Sequence, residues 1–332
     1  MAEGRIFSGM RPSGRLHLGN YFGALENWVR LQNEGYECIY SVVDVHALTT
    51  LQGTDKVEEI KPSTHEMVLD WLAAGLDPER TTMFVQSRVP DVLVLHTLLS
   101  MSTPLGWLLR VPSFKERVRQ MGEDEEHVSY GLVGYPVLQT ADVILYKADR
   151  VPVGTDQVPH IELMREIARR FNHLYGETFP EPRVLLTETP LILGTDGENK
   201  MSKSLDNHVE LAAGDDETSK RVRTMVTDPQ RQRMTDPGRP EVCNVFSLHK
   251  IFNPDKLDDI YKACTTAAIG CVEDKQTLAD GINAYLREFR ERRRELADKP
   301  KFVDEVLAAG AERASVIARA TIDEVYERMG LR

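Results

Sequence analysis

An α/β fold with a parallel sheet, followed by an all-helical C-terminal portion, is what this sequence predicts, and three observations predict it. β-rich runs alternate with stretches of helical periodicity as far as Phe171, glycine-bearing turns join strand to helix at two places, and strand signals fade after Ser204.

The first run, Ile6-Phe7-Ser8-Gly9, passes through Met10-Arg11-Pro12-Ser13-Gly14-Arg15-Leu16-His17-Leu18-Gly19-Asn20 into the apolar pattern Tyr21, Phe22, Leu25, Trp28, Val29. That order is strand, turn, helix. The glycines let the backbone approach a ligand closely, and a helix starting near Asn20 presents unpaired N–H groups and the positive end of its dipole, so an anion belongs there. The spacing is neither G-x-G-x-x-G nor G-x-x-x-x-G-K-[ST], which argues against a nicotinamide oxidoreductase or a P-loop ATPase.

Cys38-Ile39-Tyr40-Ser41-Val42-Val43 reads as a strand buried on both faces, ending in Asp44-Val45-His46. Helical spacing follows at Val57, Ile60, Thr64, Met67, Val68, Trp71 and Leu72; Pro62 kinks that helix or starts a second, and Gly75 ends it. Thr82 to Ser87 is a third strand, and alternating strands and helices imply right-handed crossovers in a parallel sheet. The next stretch holds a helix from Val92 to Met101, the segments Thr103-Pro104-Leu105-Gly106-Trp107 and Ser113-Phe114-Lys115, and the acidic run Glu123-Asp124-Glu125-Glu126.

A helix over Pro136 to Tyr146 carries Asp142 inside an apolar pattern, and an ionisable group there needs a partner or a ligand. The strand Val151-Pro152-Val153 leads through Gly154-Thr155-Asp156 into the periodic helix Val158, Ile161, Met164, Ile167, Phe171, which repeats the opening theme. Nucleotides in open α/β sheets bind beyond the carboxyl ends of such strands. A polar loop, Gly194 to Asn199, then reaches Lys200-Met201-Ser202-Lys203-Ser204, two lysines spaced to meet a polyphosphate. Breakers at Asp228-Pro229, Asp236-Pro237-Gly238 and Asn253-Pro254 separate the later helices, which include Leu278, Ile282, Tyr285, Leu286, Phe289 and a last one from Ile317 to Met329. A boundary between 207 and 208 divides the chain into residues 1–207 and 208–332.

At 332 residues, 41% apolar and 28% charged, the chain is of globular composition and long enough for two domains. It has no long apolar run and no basic-then-apolar leader, so a cytosolic location is expected. Cys38, Cys243, Cys264 and Cys271 show no zinc spacing and read as reduced packing residues. A formal charge of −11 opposes nucleic-acid binding as a whole, although Arg287, Arg290, Arg292, Arg293 and Arg294 place a basic face on a late helix, which taken alone reads as a solvated face.

The H-x-G-N turn at His17 and the K-M-S-K-S loop at Lys200 together resemble the class I aminoacyl-tRNA synthetases. Over nearly its full length the chain resembles the bacterial tryptophanyl-tRNA synthetase family, through Ile6-Phe7-Ser8-Gly9-x-x-Pro12-Ser13-Gly14, Leu18-Gly19-Asn20-Tyr21-x-Gly23-Ala24, Val43-Asp44-x-His46-Ala47-Leu48-Thr49, Tyr135-Pro136-x-Leu138-x-x-Ala141-Asp142, and Val151-Pro152-Val153-Gly154-x-Asp156-Gln157.

That resemblance implies a Rossmann-like nucleotide-binding domain over 1–207 and a tRNA anticodon-binding helical domain over 208–332, whose last helix packs back on the first domain. It implies activation of L-tryptophan by ATP with Mg2+, transfer to the 3′-terminal adenosine of tRNA(Trp), and a homodimer. It places His17, Lys115, Lys200 and Lys203 at the transferred charge. Arg11, Pro12, Ser13, Gly19, Asn20, Gly154, Thr155, Asp156, Leu191, Met201, Ser202 and Ser204 join the two loop lysines around ATP. Asp142 accepts the indole N–H, with Phe7, His46, Tyr135, Gln139 and Gln157 around the amino acid. Arg11 stands where glutamine is common in the family, Gln139 where methionine is, and His17 where threonine often is. A tyrosine enzyme of the same architecture, and a tryptophan-binding paralogue acting as a partner protein, are the competing readings; Phe7 on the first strand, where the tyrosine enzymes use a tyrosine, favours tryptophan.

Overall fold

Side-chain alternation gives each inner strand two buried faces. In the computed structural model, which describes residues 4–51, 53, 57–112, 114–115, 118, 128–186 and 191–332, Ile6 and Phe7 of β1 (Arg5–Met10) belong to different apolar cores. Along β2 (Glu37–Val42) Tyr40 and Val42 oppose Ile39, and along β3 (Thr81–Val85) Met83 and Val85 oppose Phe84. With β4 (Arg150–Val153) and β5 (Arg183–Leu186) these strands form, among the described residues, one parallel sheet in the order β3-β2-β1-β4-β5.

Chain order reverses at β1. That strand pairs with β2 along its whole length from Arg5 to Met10, but with β4 only at Ile6 and Arg150, near the start of both. Beyond that position the two strands are not bonded, and a crevice opens at their carboxyl ends, the general ligand position of open α/β sheets.

The turn after β1 enters a short helical segment, Leu18–Asn20, a π-helical stretch, Tyr21–Leu25, and then α1 (Glu26–Asn33) without a break. α2 (Ile60–Ala74) has Pro62 in its first turn, where a missing N–H costs no intrahelical bond, so Pro62 begins a helix rather than kinking one. Trp28 and Trp71 bring α1 and α2 onto the first face; Trp28 stacks on Tyr40 at 4.3 Å and meets Trp71 edge-on at 5.2 Å. α3 (Asp91–Ser100), α4 (Tyr130–Ile144) and α5 (Val158–Tyr175) cover the second face.

Three sequence expectations change, the first being the last helix, which begins at Pro300, the proline at its first turn, rather than at Ile317. α4 begins at Tyr130, ahead of Pro136, because Ser129 Oγ caps the Leu132 N–H (3.3 Å) and the helix tolerates the proline in its interior. β5 is an additional strand. The acidic run at 123–126 and Ser113 lie outside the described residues.

Beyond the lysine loop come α6 (Asp215–Arg223), α7 (Asn244–Phe252), α8 (Leu257–Thr265), α9 (Cys271–Ala297) and α10 (Pro300–Arg328). α9 joins the first core through Leu278, Ile282, Leu286 and Phe289. α10 crosses to the second, laying Ala311, Ala314, Ala318, Ile322 and Val325 against it. Gly310 permits that approach, since a Cβ there would lie 1.8 Å from the Met83 carbonyl oxygen of β3. Among the described residues no helix is long and apolar enough to cross a membrane.

Candidate active site

A cleft of about 1010 Å³ occupies the crevice between β1 and β4. Its lining brings together Phe7, Arg11, Gly19, His46, Tyr135, Gln139, Asp142, Gly154, Thr155, Asp156, Gln157, Leu191 and Lys200 from the sequence-predicted set. Local structure explains the convergence. Phe7 ends its face of β1 stacked on Tyr146 at 5.5 Å, and Tyr135, Gln139 and Asp142 share one face of α4 at helical spacing. Gly154 to Gln157 form the tight turn between β4 and α5.

At one wall of the cleft lies a buried polar cluster. Asp142, 3% exposed, receives Gln86 Nε2 at 2.7 Å on Oδ1 and 2.9 Å on Oδ2, while His46 Nε2 lies 2.9 Å from Oδ2. Gln86 Oε1 in turn accepts the backbone N–H groups of Val45 (3.1 Å) and His46 (3.3 Å). The amide therefore fixes both the carboxylate and the turn that carries its histidine. Gln86 was not singled out by sequence; its one signal was a polar residue closing a buried strand. Ionised, Asp142 offers roughly four lone-pair positions, so room for a ligand donor remains. Tyr135 Oη and His160 Nε2, 3.0 Å apart, border the same cleft.

The lysine loop is strapped to the opening turn. Leu18 N–H donates to Val209 O (3.0 Å) and Leu211 N–H to Leu16 O (2.9 Å), while Met201 is buried beside Gly19. Asn207, also missed by sequence, accepts Ser202 N–H (2.7 Å) and donates to Asp196 (2.9 Å), whose carboxyl is held down at about 2 first by that Asn207 bond. Lys203 Nζ donates to Ser13 O at 2.7 Å, next to Gly14, whose φ of +76° suits glycine.

Pro12, Ser13, His17, Asn20, Met201, Ser202, Lys203 and Ser204 thus stand behind or beside the cleft rather than among its lining residues. Lys115 is exposed and also lies outside the lining, following the anchored Phe114. The turn also offers fewer free donors than its sequence suggests: Leu18 N–H is spent on Val209, and those of Asn20 and Tyr21 go to His17 O.

His17 is buried with Nδ1 unpartnered. Burial first, then the charges of His208, Lys203 and Lys200, lower its pKa to about 4, so the ring is neutral at pH 7. The unfolded chain takes up this proton near pH 6.5 and the folded chain only near 4. Stability from His17 is therefore complete above 6.5 and lost as pH falls towards 4, by on the order of 3 kcal/mol. Thermal melting over that window is expected to show a shallower acid loss for His17→Asn than for the unmodified protein; equal slopes would clear His17 of any part in acid sensitivity.

Comparison with known proteins agrees with this geometry. The profile of the family described as tRNA synthetases class I (W and Y) matches residues 2–287. A tryptophan–tRNA ligase of Thermotoga maritima is 45% identical, with 98% of this chain and 99% of that protein covered. One of Aquifex aeolicus is 41% identical over 98% and 100%. The crystal structure of a tryptophanyl-tRNA synthetase from Campylobacter jejuni, in complex with ADP and tryptophan, superposes with a TM-score of 0.86 at 34% identity, covering 98% of this chain and 99% of that one. The strand order with its opening between β1 and β4, the histidine–glycine turn strapped to the lysine loop, and these matches over nearly the whole length make the chain a member of the class I tRNA synthetase family for tryptophan and tyrosine.

Proposed function

We propose that the chain is a tryptophan–tRNA ligase, and the observation that carries the amino-acid assignment is the Asp142 carboxylate held at the cleft wall by Gln86 and His46. Indole is a donor only, so an acceptor fixed by two neighbours selects it. The identities to bacterial tryptophan–tRNA ligases and Phe7 on β1 support tryptophan over tyrosine.

In the first step an oxygen of the tryptophan carboxylate attacks the α-phosphorus of ATP and pyrophosphate leaves; in the second a ribose hydroxyl of the tRNA terminal adenosine attacks the activated carbonyl and AMP leaves. The nucleophile of the first step is already ionised at neutral pH, so this chain supplies position and charge rather than a base. Phe7, Tyr135, Gln139 and Gln157 surround the amino acid. Gly154, Thr155 and Asp156 take the adenosine, with the exposed Leu191 against the base. Arg11, now 3.2 Å from Thr50 Oγ1, reaches the phosphates.

Lys200 and Lys203 neutralise the leaving pyrophosphate, and Lys115 adds a third cation. An incoming polyphosphate reverses the local sign around His17 and raises its affinity for a proton. Mg2+ would come on the phosphates of ATP itself, whose hard oxygens it prefers; among the described residues no set of three His, Cys, Asp or Glu side chains is placed to hold a metal. Residues 208–332 form the anticodon-binding part, with the exposed Arg287, Arg292 and Arg294 available to phosphate. The protein acts in the cytoplasm as a homodimer; Leu48, Leu93 and Tyr130, exposed apolar residues around a smaller pocket, support a self-association face.

ATP–pyrophosphate exchange with each standard amino acid in a separate reaction tests the reading. Exchange with tryptophan alone is expected. Exchange with tyrosine would reassign the pocket, and none would make the chain a binding paralogue.

A further inference from the structure

Two arginines of α9 were read in the sequence as part of a basic outer face, and they are not. The Arg290 and Arg293 side chains are only 10% and 13% exposed. Arg293 Nε donates to Asp70 Oδ1 at 2.5 Å and its Nη2 to Glu66 Oε2 at 2.7 Å. Both acids belong to α2, and Asp70 is fully buried.

The second oxygen of Asp70 shows why this matters. Asp70 Oδ2 accepts the backbone N–H of Leu16 at 2.7 Å, one residue before His17, and Glu66 Oε2 also accepts Arg15 Nε at 2.9 Å. Arg290, one helical turn before Arg293, reaches the other side of the same residue. Its Nε donates to Leu211 O at 3.0 Å, and Leu211 N–H donates to Leu16 O at 2.9 Å. Three of its four remaining N–H groups go to Asp215 Oδ1 (2.8 Å), Asn283 Oδ1 (2.8 Å) and Thr218 Oγ1 (2.9 Å). Both backbone polar groups of Leu16 are thereby traced, each through one intermediary, to guanidinium groups of a single distant helix.

We infer that Arg290 and Arg293 are positioning residues that set the height and tilt of the His17–Asn20 turn for the nucleotide, so that α9 controls ATP binding without touching it. A buried carboxylate with one arginine and one N–H has no slack, because each lost bond leaves a desolvated charge. Leu18 N–H to Val209 O belongs to the same strap, and Lys203 Nζ on Ser13 O holds the turn further upstream. Tryptophan, held by α4, β1 and the Asp44–Ala47 segment, is independent of the clasp. The inference takes its substrate from the ligase reading, while its geometry stands apart from it.

Arg293→Ala would strand Asp70, so the working variants are Arg293→Lys and Arg290→Lys, which keep charge but cannot reproduce the planar fork. ATP and tryptophan dissociation constants, measured separately by calorimetry on the full chain, are expected to split: ATP weaker by about tenfold in either variant, tryptophan within about twofold. KM for ATP in pyrophosphate exchange should rise in step. Unchanged ATP constants, or parallel weakening of both ligands, would overturn the inference and leave the arginines as struts. Absence of tryptophan-dependent exchange in the unmodified chain would instead count against the ligase reading, and the calorimetric comparison would still decide this one.

Discussion

Replacing Asp142 with alanine is expected to weaken tryptophan binding by about 10- to 150-fold while leaving ATP binding within about twofold. A hydrogen bond to a charged group contributes roughly 1.5–3 kcal/mol, and here the acceptor is buried and fixed before the ligand arrives. Alanine removes the acceptor for the indole N–H and also strands two donors, Gln86 Nε2 and the His46 ring, in a wall that is only 3% exposed at Asp142 and 1% at Gln86. Among the described residues the cluster's hydrogen bonds run to one another and to the backbone of Val45 and His46, not to the turn at His17 or the lysine loop, so the nucleotide should not register the change. Separate titrations with tryptophan and with ATP give the answer, and a matched fall in both would mean that Asp142 holds the fold rather than the substrate.

The second large effect is expected at Lys203. Its alanine variant should form adenylate about 10²- to 10³-fold more slowly with tryptophan affinity unchanged, the size seen when one preorganised donor to developing charge is removed. The structure adds a condition to this. Lys203 rests on the Ser13 carbonyl, outside the residues that line the cleft, whereas Lys200 lines it. Burial lowers the Lys203 pKa, and a neutral carbonyl is a weaker partner than a polyphosphate, so the ammonium is poised to transfer to one. Single-turnover measurement of adenylate formation checks the rate. A variant as fast as the parent would take this lysine out of the chemistry.

What the sequence disclosed was local. The Ile6–Asn20 strand and turn, the Gly154–Gln157 turn and the Lys200–Ser204 loop each carry their meaning within a few residues, and the structure gathers most of them at one crevice. What it concealed depends on distant partners. Gln86 looks like a strand terminus until Asp142 is placed beside it. Arg290 and Arg293 share a helix with solvent-facing arginines, and only distant partners, Leu211 and Asp215 for Arg290 and Asp70, 223 positions away, for Arg293, separate them from that group. β5 escaped because it is short, half-exposed and bonded only to β4, so no two-sided apolar run marks it. The start of α4 is hidden because Ser129, not Pro136, sets its first turn, and a serine cap carries little weight beside a proline six residues into the helix.

The placement of α10 also has a temporal meaning. Ribosomes deliver a chain from its N-terminus, and here the helix that packs on β3 is delivered after every residue that lines the cleft. Until Gly310 has settled on the Met83 carbonyl and Ala314, Ala318 and Ile322 have joined the second core, the β3 end of that face lacks its cover. A nascent chain complete through α9 therefore holds every residue of the cleft and both arginines of the clasp, yet lacks the helix that covers β3. Completion of the sheet therefore waits on α10, and a chain cut before that helix would carry an uncovered β3 rather than merely lack a tail.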